Sequence, residues 1–302
     1  MKNINIILIA SLVLFLSACE LPFNVGCISP EGNVETRTVS FETFDKVEIK
    51  IDAEVFITEG DTQEVVIESQ SNVIDRILDD SSVRNDELIL EINGCISMAN
   101  NTVIVRITIP SLSGLKIAAD GQFQTVGTFN NVSDLILDIE GDGKMELDLG
   151  DNLDLLSLDI NGDGDVTCSG SAQEVDIDID GDGKVFFHDL LGSEVRAQIK
   201  GDGELEINAT EKLQLQITGD GEIEAIGTAE LQQIKIIGDG KIKNFELFST
   251  ETDIDVQGDC DIEVRVSDLL NVKLRGDGKV CYKGDAVVEA DITGGGKITN
   301  CD

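Results

Sequence analysis

The residues with the clearest capacity for chemistry are aspartates, each at the centre of a tripeptide that reads Gly-Asp-Gly in most copies. Eight of them follow one another at steps of 18 to 21 residues, and imperfect copies flank them at Asp120 and at 294–296, where glycine replaces the acid. Carboxylate oxygens are ligands that Ca²⁺ prefers, so the series is a candidate calcium site. The candidate ligands are Asp142, Asp163, Asp182, Asp202, Asp220, Asp239, Asp259 and Asp277.

If these turns stack in register, neighbouring carboxylates lie about 5 Å apart, and like charges at that separation repel each other. Lysines two positions after a turn would offset part of this repulsion, and weakly bound Ca²⁺ would offset the rest. Those lysines are Lys144, Lys184, Lys241, Lys279 and Lys297. The simpler alternative is that the acids keep the protein soluble and that it has no cofactor.

The formal net charge of −37 argues against nucleic acid as a partner and favours cations, basic surfaces or neutral glycans. The chain has one histidine, His188, and no evident Ser–His or Cys–His arrangement, so we predict no catalytic residue. Residues 178–189 imitate the calcium loop of an EF-hand, which needs a helix on each side. Both flanks alternate as strands do, so the match is rejected.

Strands must position the aspartates, because apolar and polar residues alternate on both sides of each turn. In residues 213–224, LQLQITGDGEIE, the alternation runs up to the turn and resumes after it, and glycines suit such a tight reversal. A hairpin meander would also alternate, but a period held near 19 residues favours equivalent stacked coils. We therefore predict an all-β fold, a right-handed parallel β-helix of about ten regular coils.

Two apolar columns would form the core of this solenoid, one before each turn and one three residues after its centre. The first column contains Ile139, Ile160, Ile179, Ile199, Ile217, Ile236 and Val256. The second contains Met145, Val166, Val185, Leu205, Ile223, Ile242, Ile262, Val280 and Ile298. We predict a single domain over 34–302, with irregular capping coils in 34–118 and the repeat coils in 119–302.

The first residues carry export signals. Residues 1–18 combine Lys2 with an apolar run too short to span a membrane, which is typical of a signal peptide. The sequence Leu-Ser-Ala-Cys at 16–19 resembles the bacterial lipoprotein box, so we predict that Cys19 is lipidated and that 19–33 is a tether. The predicted location is the cell envelope, with the membrane as a partner through the lipid.

Three segments carry a resemblance to a known family: FDKVEIKIDAEVFITEGDTQEVVIES from Phe44, DELILEI from Asp86, and VIVRITIPSLSGLKIAADG from Val103. With the regular Gly-x-Gly turns that follow, the chain resembles the family "putative auto-transporter adhesin, head GIN domain" from about residue 34 onward. The resemblance implies export in Bacteroidetes-type bacteria, a fold similar to the pectin-lyase-like β-helices, and a role in adhesion. The family supplies no established catalytic residues.

Six cysteines follow Cys19, and an even number outside the cytosol permits disulfides whose connectivity the sequence leaves open. Cys281 and Cys301 lie about one coil apart and could join the last coils, and Cys27 and Cys95 could fasten the tether. No Cys-x-x-C occurs, so zinc is not indicated.

The function predicted from these features is that of a non-enzymatic, lipid-anchored module of the cell envelope. It would adhere to, or bind, an unidentified protein or glycan through its acidic repetitive surface, and end-to-end association would give a homo-oligomer. A Ca²⁺-binding structural module is one alternative. A polysaccharide-active enzyme is another, because β-helices often cleave acidic polysaccharides.

Overall fold

A computed structural model describes residues 27–96 and 103–302. The predicted signal peptide, Cys19 and most of the tether lie outside the described residues. The described chain is all-β, with 67% of the described residues in strands and one short helix. Within it, no helix has the length and apolar character that crossing a membrane requires.

The first part of the chain forms nine short strands and one helix, α1, Ser71–Asp80. The strands are β1 Val34–Val39, β2 Lys46–Ile49, β3 Glu54–Glu59, β4 Glu64–Gln70, β5 Ser82–Arg84, β6 Glu87–Leu90, β7 Ile104–Ile109, β8 Gly114–Ile117 and β9 Gln122–Thr125.

The second part of the chain forms twelve strands, and six of them are long because they run through a corner of the coil. They are β10 Asp134–Glu140, β11 Lys144–Asp148, β12 Leu153–Asn161, β13 Asp165–Asp180, β14 Lys184–Lys200, β15 Glu204–Thr218, β16 Glu222–Ile237, β17 Lys241–Gln257, β18 Asp261–Arg275, β19 Lys279–Lys283, β20 Val287–Thr293 and β21 Lys297–Asn300.

Parallel pairing between successive coils builds a β-solenoid of about nine turns, where about ten were predicted. Each coil has a front strand, which leads into the Gly-Asp-Gly turn, and a back strand, which leaves it. Front strands pair with front strands, as in Asp180 with Lys200, and back strands with back strands, as in Lys184 with Glu204. Register shifts occur at the corners, for example between Thr167 and Gly170, where coils of different length are brought back into line.

At the N-terminal end the order of coils in space differs from their order in the chain. Strand β2 lies between β6 and β8, and β3 lies between β7 and β9, so the first coil is enclosed by two later ones. Strands β1, β4 and β7 then pair antiparallel over this end. Helix α1 adds Val73, Ile74 and Ile77, which are fully buried. The first coil therefore has neighbours on both sides.

The core lies between the front and back strands, where the two predicted columns are confirmed. Ile139 through Val256 of the first column are all 0% exposed. Met145 through Val280 of the second are at most 1% exposed, and only Ile298 in the last coil is half-buried. Because equivalent residues stack from coil to coil, each buried side chain is covered by its counterparts above and below.

The two glycines of each turn are required for different structural reasons. Gly181 has a φ of +137°, and a Cβ there would lie 2.4 Å from the carbonyl oxygen of Gly162 in the preceding coil. Gly183 has no such φ, but its Cβ would lie 2.9 Å from Cγ2 of Ile160 in the core. The first glycine permits both the reversal and the close stacking, and the second makes room for the apolar column.

Candidate functional site

The predicted aspartates form one line, which we call the aspartate edge: the eight residues from Asp142 to Asp277 named above. Because the strands on both sides of each turn pair in register, neighbouring aspartates lie side by side. All eight are exposed. Towards the C-terminal end, the carboxylate of one coil accepts a hydrogen bond from the backbone N–H of the next, from Asp259 to Asp239 (3.2 Å) and from Asp277 to Asp259 (3.0 Å).

This geometry places the carboxylates in a row rather than around a point. In residues 27–96 and 103–302, no group of three or more His, Cys, Asp or Glu side chains is arranged to hold a metal ion. Any Ca²⁺ at the aspartate edge would therefore also need backbone or water oxygens as ligands. Calcium binding stays a prediction.

Two of the lysines that follow the turns have ion-pair partners on the back strands. Lys144 Nζ lies 2.7 Å from Oε1 of Glu146, and Lys184 Nζ lies 3.1 Å from Oε2 of Glu204. The hydrogen bond to Glu146 raises the pKa of Lys144. These lysines neutralise acids of the back face, so their effect on the aspartate edge is indirect, which differs from the role expected from spacing alone.

A second feature, which we call the trough, runs along the front strands over eight coils and has a volume of about 1010 Å³. Two columns of outward side chains form its walls, and the buried residues between them, such as Ile177 and Leu215, form its floor. The first wall contains Ser157, Asp176, Arg196, Gln214, Gln233, Asp253, Asn271 and Glu289. The second contains Asp159, Asp178, Gln198, Gln216, Lys235, Asp255, Lys273 and Asp291.

The chemistry of the trough changes along its length. Its centre is lined by amides, and Nε2 of Gln214 donates a hydrogen bond to Oε1 of Gln233 in the next coil (2.7 Å). Carboxylates dominate on both sides of this centre, as at Asp176 and Asp253. Amides donate and accept hydrogen bonds, while carboxylates only accept. The trough therefore offers neutral polar contacts in the middle and acceptors for positively charged groups towards its ends.

Side chains one coil further along bind many of these carboxylates. Arg196 contacts Asp176 (3.2 Å) and lies within 4 Å of two glutamates, while Lys200 Nζ lies 3.1 Å from Asp178. Nδ2 of Asn271 donates to Asp253 (2.8 Å). These bonds fix the orientation of the acids without burying them, so their remaining lone pairs stay open to a ligand.

Asp159 is not bonded in this way within the described residues, and neither are Glu289 and Asp291 in the last coil. Asp159 also has acidic neighbours. It stacks between Asp138 and Asp178 in the same column, and in the described part of the chain it has no hydrogen-bond or ion-pair partner. Partial burial raises the pKa of Asp159, and the neighbouring carboxylates of Asp178 and Asp138 raise it further, against a weaker opposing effect of Lys200. Its ionised form is therefore disfavoured in the folded protein.

The cysteines fall into two groups. Disulfides join Cys27 to Cys95 and Cys281 to Cys301, with Cα–Cα distances of 4.5 and 5.9 Å, which are the two pairings proposed from the sequence. Cys168 and Cys260 are buried thiols. Burial raises the pKa of both, that of Cys260 to about 11, so neither thiol is reactive near neutral pH.

Sequence reasoning identified the aspartate edge but missed the trough. From the alternation, Asp176 and Asp178 are expected at outward strand positions that add acid to the surface, but the sequence does not align them with outward residues of the neighbouring coils. The signal that could have found the trough is a comparison of outward positions across the repeats, because two alternate positions of every front strand lie in the same two columns. That comparison needs the register of the front strands, which the variable corners obscure.

The stack of parallel coils with one long polar trough defines a β-solenoid whose exposed strand face can hold a ligand. The sequence profile of the family "Putative auto-transporter adhesin, head GIN domain" matches residues 43–226 and 209–286. The chain belongs to this family, which confirms the resemblance seen in the sequence and indicates a location in the cell envelope or at the cell surface.

Three solved structures are similar to the chain at low identity. They are a "putative adhesin" of Parabacteroides merdae (17% identity, 90% of this chain and 97% of that one, TM-score 0.49), a "putative lipid binding protein" of Parabacteroides distasonis (18%, 90% and 98%, 0.47), and a "putative adhesin" of Parabacteroides distasonis (16%, 90% and 98%, 0.44). A search of curated proteins gave no match.

Proposed function

We propose that this protein is a non-enzymatic adhesion module of the bacterial cell envelope and that it holds its ligand in the trough. The observation that carries the proposal is the continuity of the trough, whose two polar walls follow the solenoid over eight coils. Long solenoids characteristically bind extended ligands along such a surface. Membership of an adhesin family supports the same role.

The bonding within the trough supports binding rather than catalysis. Four of its seven carboxylates, those of Asp176, Asp178, Asp253 and Asp255, are bonded to a side chain one coil further along, so the same kind of contact recurs along the stack. Catalysis needs a group whose surroundings set it apart from its repeats. A surface of repeated, oriented polar groups suits many weak contacts to one long partner.

The anchor belongs to the same proposal. Lipidation of Cys19 would place the membrane beside the N-terminal end, because Cys27 is bonded to Cys95 in the outermost coil region. Eight residue steps separate Cys19 from Cys27 and span at most about 28 Å. The solenoid would then stand on the membrane by its N-terminal cover, with the trough leading away from the lipid surface.

The trough is tested by blocking it in the full chain. Gln216→Cys places a thiol in the trough and Glu224→Cys places one on the back face, while the native thiols Cys168 and Cys260 are buried. Both variants are coupled to a bulky maleimide and applied to arrays of glycans and peptides. Loss of array binding only for the blocked Gln216→Cys variant supports the proposal. Unchanged binding for that variant, or cleavage of an array polysaccharide, contradicts it.

The anchor is tested separately. Cells that express the wild-type chain or Cys19→Ser are fed radiolabelled palmitate and then fractionated. We expect label and membrane association for the wild type and neither for the variant. Equal membrane association of an unlabelled variant would contradict lipid anchoring and leave the role of the trough untouched.

A further inference from the structure

We propose that the ligand of the trough is an extended, basic segment of polypeptide. This inference rests on the proposed function and names the partner of the same site. It follows from the charge of the trough, from the spacing of its acids and from the amides between them.

Charge gives the first argument. Seven carboxylates and three cationic side chains line the trough, and Lys200 and Arg275 beside it pair with Asp178 and Asp255, which leaves an excess of two carboxylates in a protein whose formal net charge is −37. The field of the whole molecule therefore adds to that of the trough, attracts cations and repels anionic polymers. Electrostatic complementarity of this kind selects basic partners and speeds their association.

The acids are grouped rather than spread evenly. Three coils place a carboxylate in both walls of the trough: Asp176 with Asp178, Asp253 with Asp255, and Glu289 with Asp291. The first pair lies four coils before the second, and the second lies two coils before the third. At about 4.8 Å per coil these separations are about 19 and 10 Å.

An extended polypeptide matches these separations. Its rise of about 3.3 Å per residue covers about 19 Å in six residues and about 10 Å in three. Lysines or arginines at positions i, i+6 and i+9 would therefore meet the three acidic pairs. Because each pair has one carboxylate in each wall, a basic side chain finds a partner whichever way the alternating chain directs it.

Between the first two acidic pairs, amide side chains provide hydrogen bonds for the backbone of the peptide. Gln198, Gln214, Gln216 and Gln233 line this stretch of the trough together with Lys235 and with Arg196, which is paired with Asp176. Amides can pair with both the N–H and the C=O groups of an extended backbone. Of the described residues that line the trough, none is aromatic, so it lacks the stacking surface that would favour a sugar ring. The lining thus favours a peptide over a neutral glycan.

The test measures binding of a fluorescent peptide to the full chain by anisotropy. The probe is a ten-residue Gly/Ser peptide with lysines at positions 1, 7 and 10. Its controls carry the same lysines at positions 1, 2 and 3, or glutamates at 1, 7 and 10. We expect the spaced lysine peptide to bind at least threefold more tightly than the clustered one and the glutamate peptide not to bind.

Matched variants locate the site. Asp253→Asn with Asp255→Asn changes the charge in the trough, and Glu206→Gln with Glu224→Gln makes the same change on the back face, where the two glutamates are paired in register. The trough variant should weaken binding about tenfold and the back-face variant less than twofold. Glu289→Gln with Asp291→Asn is a second trough variant, in the last coil. Circular dichroism checks that all three double variants are folded.

Two results would overturn the inference: equal weakening by the trough and back-face variants, or equal binding of the spaced and clustered peptides. Binding of a neutral oligosaccharide that the lysine peptide does not displace would also overturn it. If the lysine peptide fails while the blocked Gln216→Cys variant loses its array ligand, the ligand class is wrong and the proposed function stands. If the block has no effect on the array, the proposed function itself fails.

Discussion

The aspartate edge and the trough lie on the same coils but differ in how strictly they repeat. Along the edge almost the same tripeptide recurs in every coil, whereas the walls of the trough change from serine to aspartate, arginine, glutamine and lysine. Backbone stacking explains the first pattern, because each turn touches the turn before it. The side chains of the trough walls point outward and do not take part in this backbone contact, so they can vary from coil to coil and determine which ligand binds.

The difference teaches how repetition in a solenoid is to be interpreted. A position repeated in every coil is first a requirement of stacking, even when its side chain could perform chemistry. The aspartates are candidate metal ligands, yet three of them, Asp239, Asp259 and Asp277, accept hydrogen bonds from the next turn and so help to hold the coils together. Binding specificity is better sought where exposed columns depart from the repeat.

The largest effect is expected from a substitution at a glycine that flanks the aspartate edge. Gly201→Ala should lower the free energy of unfolding by about 4 kcal/mol, since φ is +131° and the added Cβ would lie 2.4 Å from the carbonyl oxygen of Gly181. Gly94→Ala is the matched control, because φ there is also +131° but no atom lies within 4 Å of the added Cβ. It should cost only about 1.5 kcal/mol. Urea unfolding followed by circular dichroism measures both free energies of unfolding. Equal decreases would show that contact with the preceding coil is not the reason why glycine is required.

A smaller effect is expected from the ion pairs of the trough. Arg196→Gln removes a cation that lies within 4 Å of three carboxylates, and should lower the free energy of unfolding by about 1 kcal/mol. Arg275→Gln removes a cation with a single partner, Asp255, and should cost about 0.3 kcal/mol. Thermal unfolding at low and high salt compares them. If both substitutions lower the free energy of unfolding equally, or if salt does not reduce the difference between them, the three-carboxylate network is not the cause.

Asp159→Asn should stabilise the protein by about 0.5 kcal/mol at neutral pH, because it removes a carboxylate that is repelled by its neighbours in one wall of the trough. The folded-state pKa of Asp159 is raised, so its ionised form carries a penalty that is complete above that pKa and is relieved as the pH falls through it. The advantage of the variant should therefore disappear as the pH is lowered towards the ordinary range of an aspartate. Urea titrations from pH 7 to pH 3 measure this, and a gain that persists at pH 3 would contradict the electrostatic cause.

The smallest effect concerns Ca²⁺ at the aspartate edge. Weak binding should stabilise the protein by about 0.4 kcal/mol per site when the free ion equals its Kd, and Asp202→Asn with Asp220→Asn should reduce that gain. Calorimetry and melting curves with Ca²⁺ or a chelator measure it. No heat of binding, together with a melting temperature indifferent to both additions, would remove the calcium hypothesis.

Much of the fold was predictable because its signals are local. The residue three positions after the turn centre, as in Val185 or Ile223, is buried as the alternation requires. The placement of β2 and β3 between coils from later in the chain was not predictable, because strand pairing over 40 to 70 residues leaves no periodic trace. The partners of Lys144 and Lys184 were missed for a related reason: spacing identifies the neighbours of a turn but not the direction of a long side chain.

The most direct test of the separation between edge and trough is a protection measurement. Maleimide labelling rates of Gln216→Cys in the trough, Asp202→Cys on the aspartate edge and Glu224→Cys on the back face are compared with and without a saturating array ligand. We predict that the ligand slows labelling at position 216 at least tenfold and leaves the rates at 202 and 224 within twofold. Protection at position 202 or 224 without protection at 216 would contradict the account.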